Sequence, residues 1–182
     1  MARIPPVDES AADQRTKDVL AEVRAKWGSS WNITSAMANN PVVLEVFLAL
    51  NRALDRSGLS PTDREVICME MARTNGCHYC VPAHRFVARQ EGIDAEMIDA
   101  VAAGQTLPDG SPEAVMQRLV RKLVETKGKL SDADFAAFQD QGVSPPKMIA
   151  AVAEIAHCTL TNYFNRLAGT DLDPFLEAYR ED

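Results

Sequence analysis

Residues 60–90 read SPTDREVICMEMARTNGCHYCVPAHRFVARQ. Within this stretch Cys77 and Cys80 stand in a Cys-x-x-Cys spacing, His84 follows the second cysteine by four residues, and Glu65 precedes the first by twelve. Ser60-Pro61 has the chemistry of a helix start: the serine side chain can accept from the first turn, and proline sits where no amide donor is missed. Asp63 adds a negative charge at the same end. This helix is expected to stop near Thr74 or Asn75, because Gly76 suits a left-handed C-terminal cap. Cys77 is then expected to open a second helix, with Cys77, Cys80 and His84 along one face. Helical neighbours at this spacing lie about 5–6 Å apart, within reach of a disulfide. A thiolate near a helix N-terminus is stabilised by free amides and the positive end of the macrodipole, and His84 can accept or return its proton.

The same start device recurs outside the stretch, at Asn40-Pro41, Ser111-Pro112 and Ser144-Pro145. With apolar residues at helical intervals, these signals predict helices from Asn40 to about Ser57 and over 111–127, 131–140 and 144–168. Further helices are expected from about Glu9 to Lys26 with Asp8 as cap, over 94–103, and as a short piece over 174–179. The polar run Trp27 to Asn39 reads as a loop. No segment alternates with a period of two, so the fold class is all-α. The helix after Ser144 is the most apolar and is expected to lie in the core. Pro5 and Pro6 make about residues 1–8 an arm, lying on the surface or on a neighbouring subunit. The remaining chain fits a single domain over 1–182.

Nineteen Lys and Arg against 26 Asp and Glu give a net charge of -7, which argues against nucleic acid or an anionic membrane as partner. With no charged-then-apolar leader and no apolar run near about twenty residues, the expected location is a bacterial-type cytoplasm. Four cysteines are too few for a disulfide scaffold, so in a reducing compartment the close pair indicates redox or metal chemistry. As half of a zinc site, Cys77, Cys80 and His84 would need one outside ligand, and nothing else in the sequence completes it. Cys68 and Cys158 read as isolated packing thiols. His157 and Cys158, being adjacent, point some 100° apart on a helix, so His157 reads as a satisfied core histidine. Glu70 and Arg73 read as a helix-surface pair, and Trp27 and Trp31 as covers for a core edge or an interface.

Glu65, Cys77-His78-Tyr79-Cys80 and His84, followed by Thr161-Asn162-Tyr163-Phe164-Asn165-Arg166, resemble the carboxymuconolactone decarboxylase superfamily, in its AhpD-like alkylhydroperoxidase branch. The resemblance runs from about Val42 to Asp173. It implies an AhpD-like orthogonal helical bundle, assembly as trimers or hexamers, and a thiol-dependent hydroperoxide reductase. In that scheme Cys80 is the peroxidatic cysteine, Cys77 its resolving partner, and Glu65 with His84 the proton relay. It requires no bound cofactor, and it implies an external dithiol reductant, a lipoyl-bearing protein in relatives. Tyr79 departs from the pattern, since the best-studied AhpD proteins have histidine just before the second cysteine. Helix-dipole reasoning on the expected helix favours Cys77 as nucleophile. The spacing to His84 favours Cys80 and is followed here, because peroxide cleavage needs a proton at the leaving oxygen. The alternatives are a decarboxylase of the lactone type and a non-enzymatic oligomer using the cysteine pair as a redox switch.

Overall fold

The computed structural model describes residues 1–180 and contains helices and turns with no strand among them. Helices α1 (Gln14–Trp27), α2 (Asn32–Met37), α3 (Pro41–Leu54), α4 (Pro61–Thr74) and α5 (Cys80–Gln90) form the first half. Helices α6 (Ala95–Ala102), α7 (Pro112–Glu125), α8 (Asp132–Asp140) and α9 (Pro145–Ala168) follow, and a 3-10 turn spans Pro174–Tyr179. The fold is all-α, as the periodicity requires.

All four Asn/Ser-Pro starts function as read: the side chains of Asn40, Ser60, Ser111 and Ser144 accept from the amides of Val43, Asp63, Ala114 and Lys147. At Ser60 the Asp63 carboxylate also accepts from the Ser60 amide, closing a capping box. Two expectations at the N-terminal end change. The cap of α1 is Asp13, while Asp8 closes a local turn by accepting from the Ser10 amide at 2.9 Å. The segment read as a loop contains α2, which lacks a side-chain cap but buries Ile33, Thr34, Ala36 and Met37. Tertiary packing, not capping or periodicity, makes that short helix. Residues 3–7 lie on this chain's own surface, where the amides of Arg3 and Ile4 donate to the Ala168 carbonyl and that of Val7 to Ser35.

Helix α4 is the central element, packing against α5, α6, α7 and α9. It is buried almost all round, from Glu65 through Ala72, which is the expected character of a helix with neighbours on every side. Val66, Ile67, Cys68 and Met71 join α7 and α9 in one apolar cluster, while Met69 faces α6 with Ile98 and Val101. A third cluster packs α1, α2 and α3 against Cys77, Tyr79 and Cys80. Trp31 lies edge-on to Phe86 and Phe175, with centroids 5.8 and 5.1 Å away, so it closes a core edge.

Helix α9 corrects a third reading. The apolar positions Ile149, Val152, Tyr163 and Leu167 are 71, 50, 59 and 66% exposed. The face turned inward carries Met148, Ala151, Glu154, Cys158, Asn162 and Asn165. Polar side chains are thus buried on the core face of this helix, and apolar ones are left outside. Glu70 is likewise no surface residue: it is 1% exposed and accepts from Gln117 and Arg121 as well as Arg73.

Candidate active site

Local backbone chemistry delivers the cysteine pair. Beyond α4, Gly76 adopts φ +60°. Its amide donates to Arg73 at 3.0 Å, and the next amide, of Cys77, donates to Ala72 at 2.9 Å. These two bonds are the Schellman closure of a helix end, and the left-handed residue between them is where glycine is favoured. Cys77 to Tyr79 then form a turn, and α5 begins at Cys80 rather than at Cys77. The Cys77 carbonyl accepts from the amides of Cys80 and Val81, and the Cys77 sulfur also accepts from the Cys80 amide at 3.2 Å. Cys77 therefore occupies the capping region and Cys80 the first helical position, so the helix dipole favours the Cys80 sulfur more than the sequence reading allowed. Cys77 and Cys80 are joined in a disulfide with Cα atoms 5.3 Å apart.

One turn along α5, His84 places Nδ1 2.9 Å from Oε2 of Glu65 on α4. Burial by itself would push the His84 imidazolium down. The Glu65 carboxylate, through its charge and this hydrogen bond, reverses the effect and raises the pKa above 6.5. The His84 side chain keeps 22% exposure against 9% for Glu65, so the pair has a wet side and a dry side. Of the four residues singled out in the sequence, Glu65 and His84 meet where α5 packs on α4, and His84 lies one turn beyond Cys80, which is bonded to Cys77.

Two residues without an assigned role complete the surroundings of Cys80. The Nδ2 groups of Asn162 and Asn165 on α9 lie 3.1 and 3.4 Å from the Cys80 sulfur. Both asparagines are fully buried. Asn162 is oriented by Asn75, whose Nδ2 donates to its Oδ1 at 2.9 Å. Amide donors aimed at a sulfur favour its thiolate form. The sequence signal was the placement of polar residues at three- and four-residue spacings inside an apolar helix.

Tyr79, at the position of the family histidine, points away from this chemistry. It is 1% exposed and donates its hydroxyl to Oδ2 of Asp173 at 2.5 Å. Burial and the Asp173 carboxylate both push the phenol pKa up, so it is a neutral donor. His78 turns to the Thr170 carbonyl, 2.9 Å from Nε2.

Cys68 and Cys158 are not isolated. Their sulfurs lie 2.9 Å apart between α4 and α9, with Oε1 of Glu154 3.4 Å from Cys68. His157 is not a fully satisfied core histidine either. Its Nδ1 lies 2.9 Å from Glu154, while its buried Nε2 has no hydrogen-bond partner among the described residues. Burial opposes both charges here, yet the Cys68 thiol in contact with it and the neighbouring His157 bring the Cys158 thiol down. His157, against its burial, is raised to about 9 by the neighbouring Cys158 and by the Glu154 carboxylate it is hydrogen-bonded to.

Residues 41–120 match the carboxymuconolactone decarboxylase family model. Over 48 residues the chain is 40% identical to the alkyl hydroperoxide reductase AhpD of Rhodococcus erythropolis, a stretch covering 26% of this chain and 27% of that protein. The structure aligns with the alkylhydroperoxidase AhpD core of a peroxidase-related protein from Ralstonia eutropha JMP134 at TM-score 0.84 and 25% identity, covering 96% of this chain and 94% of that one. Residues 41–120 are thus similar to the carboxymuconolactone decarboxylase family, and the whole described fold is similar to an AhpD core. A second peroxidase-related protein, from Silicibacter sp. TM1040, shares the fold at TM-score 0.81 and 21% identity, with 97% and 96% of the two chains covered. Among the described residues, no helix of this chain is long and apolar enough to cross a membrane.

Proposed function

We propose that the chain is a thiol-dependent hydroperoxide reductase in which Cys80 is the nucleophile, Cys77 resolves, and His84 with Glu65 moves the proton. The observation that carries this reading is the convergence on one sulfur: Cys80 opens α5, accepts from two buried asparagine amides, and precedes by one turn a histidine held by a carboxylate. The reaction starts from the reduced pair. The Cys80 thiolate attacks one peroxide oxygen and the O–O bond breaks. His84 protonates the departing alkoxide, leaving an alcohol and a Cys80 sulfenic acid. The Cys77 thiol displaces that hydroxyl as water and forms the Cys77–Cys80 disulfide. An external dithiol, a lipoyl group on a partner protein being the chemical class that suits, reduces the disulfide and is itself oxidised. The residues need no organic cofactor for these steps.

Assembly as a trimer or hexamer belongs to the same proposal. The exposed apolar residues of α9, with Val42 and Val46 of α3 at 46 and 55% exposure, are the surface that a homo-oligomer would cover. The activity is tested by following consumption of an organic hydroperoxide with dihydrolipoamide as reductant. Wild type turns over repeatedly and Cys80→Ser does not. Undiminished turnover in Cys80→Ser rules the assignment out.

A further inference from the structure

The proposed peroxide chemistry leaves unused a second group of reactive side chains. Glu154, His157 and Cys158 occupy positions i, i+3 and i+4 of α9, which places all three on one face, and Cys68 meets them from α4. Their adjacency in sequence is no obstacle, because His157 and Cys158 flank Glu154 one turn away rather than facing each other. One ligand atom from each of the four residues fits within 4.8 Å of the others, and all four residues are buried. Oε1 of Glu154 is the hub, 2.9 Å from His157 Nδ1, 3.4 Å from the Cys68 sulfur and 4.0 Å from the Cys158 sulfur.

The groups around these four hold them in place. Nε of Arg64 lies 2.7 Å from the other Glu154 oxygen, and Arg64 also binds Asp55 at 2.7 Å. The His157 ring is stacked on Phe47 at 5.3 Å and 15°, with Nδ1 turned to the cluster. A fixed ring plane and a carboxylate oriented through its far oxygen are what outer groups supply to metal ligands.

We propose that Cys68, Glu154, His157 and Cys158 form a buried site for a thiophilic divalent cation of the zinc class. Two thiolates, one imidazole nitrogen and one carboxylate oxygen are all donor types that such an ion takes, and four of them complete a tetrahedral set. The charges balance: two thiolates and the carboxylate are matched by the divalent ion and Arg64, which a buried site requires. Binding forms two metal–sulfur bonds, one metal–nitrogen bond and one metal–oxygen bond. It expels the protons held by the thiols and the imidazole, and no electrons move. Sulfurs on a tetrahedral ion stand about 3.8 Å apart, so those of Cys68 and Cys158 open by less than about 1 Å. A disulfide would engage the sulfurs alone and leave the converging carboxylate and imidazole without a part.

The site joins the two helices that surround Cys80. Glu65 lies one turn before Cys68 on α4, and Asn162 one turn after Cys158 on α9. A metal here would fix the spacing of the residues that serve the cysteine pair, and its presence does not depend on what that pair reacts with.

The test is zinc content by mass spectrometry of untagged protein, reduced, exposed to excess zinc and gel-filtered. Wild type and the Cys77→Ser/Cys80→Ser double variant each retain about one zinc per chain, and Cys158→Ser loses at least about nine-tenths of it. Loading wild type with cobalt gives sulfur-to-cobalt charge transfer and intense tetrahedral visible bands, a readout that needs no variant. His157→Gln, with folding checked by circular dichroism, weakens retention in the same way. Wild type that retains almost no zinc and gives no such cobalt spectrum overturns the site. So does zinc that survives in Cys158→Ser but is lost from the double variant, or a Cys68–Cys158 disulfide in protein purified with zinc under reducing conditions.

Discussion

Nδ1 of His84 and Oε2 of Glu65 meet at 2.9 Å where α5 packs on α4, one turn beyond Cys80, the second residue of the redox pair. The raised His84 pKa fixes the sign of its contribution to stability. Its folded-state pKa exceeds the ordinary 6.5, so the charged pair stabilises the fold fully below about pH 6.5, and the contribution fades as pH rises through the higher folded value. Glu65→Gln removes the charge responsible. Proton NMR of the His84 ring is expected to show its titration moving down, and stability in Glu65→Gln should depend less on pH as it rises above about 6.5. A His84 titration unaltered by the substitution contradicts the pairing.

Asn162 donates to the Cys80 sulfur at 3.1 Å from a fully buried position. Hydrogen bonds to charged groups contribute about 1.5–3 kcal/mol, so Asn162→Ala is expected to raise the Cys80 pKa by roughly one unit or more. The pH dependence of alkylation in a Cys77→Ser background reads this directly. A pKa unchanged by loss of the amide means that Asn162 does not support the thiolate.

Tyr79 binds Asp173, which also accepts from the Asn32 amide at 3.1 Å and so ties α2 and the C-terminal segment to the cysteine turn. Tyr79→Phe leaves a buried carboxylate one donor short, at a cost of about 1–3 kcal/mol in urea unfolding. The Cys80 pKa should stay where it is. Unchanged stability with impaired peroxide reduction would instead assign Tyr79 to the chemistry.

The exposed stripe of α9 predicts a change in assembly. Leu167, 66% exposed, lies on it, and Leu167→Asp is expected to shift the molecular mass in solution from oligomer toward monomer without loss of helical content. Analytical ultracentrifugation reads the outcome. A variant with the wild-type mass removes α9 as the interface.

How much of this was legible in the sequence depended on the range of the determining interaction. The Ser-Pro and Asn-Pro starts and the Gly76 stop are local chemistry, and the helices fall where they indicate. Helix α2 has no local side-chain cap, its first amide being met by distant Asp173, and it exists because Ile33 and Met37 find a core, which no local pattern announces. Glu65 and His84 were visible through their spacing to the cysteines. The Cys68–Cys158 contact was not, because the two lie 90 residues apart in sequence and each sits among apolar neighbours. Helix α9 misled for a related reason: its apolar period marks the outer face, whereas its inner face carries the asparagines and Glu154 that the site and the second cluster use. The start of α5 at Cys80 followed from the Schellman closure, which uses up the Cys77 amide on α4 and delays the new helix by three residues.

The central claim is that Cys80 is oxidised by peroxide and Cys77 resolves it. It is tested most directly by treating reduced protein with one equivalent of an organic hydroperoxide and analysing the peptide containing both cysteines by mass spectrometry. Wild type is expected to yield the Cys77–Cys80 disulfide, and Cys77→Ser a trapped sulfenic acid at Cys80. Thiols that remain reduced for hours under excess peroxide, or oxidation confined to Cys77 in a Cys80→Ser variant that still consumes peroxide, would contradict it.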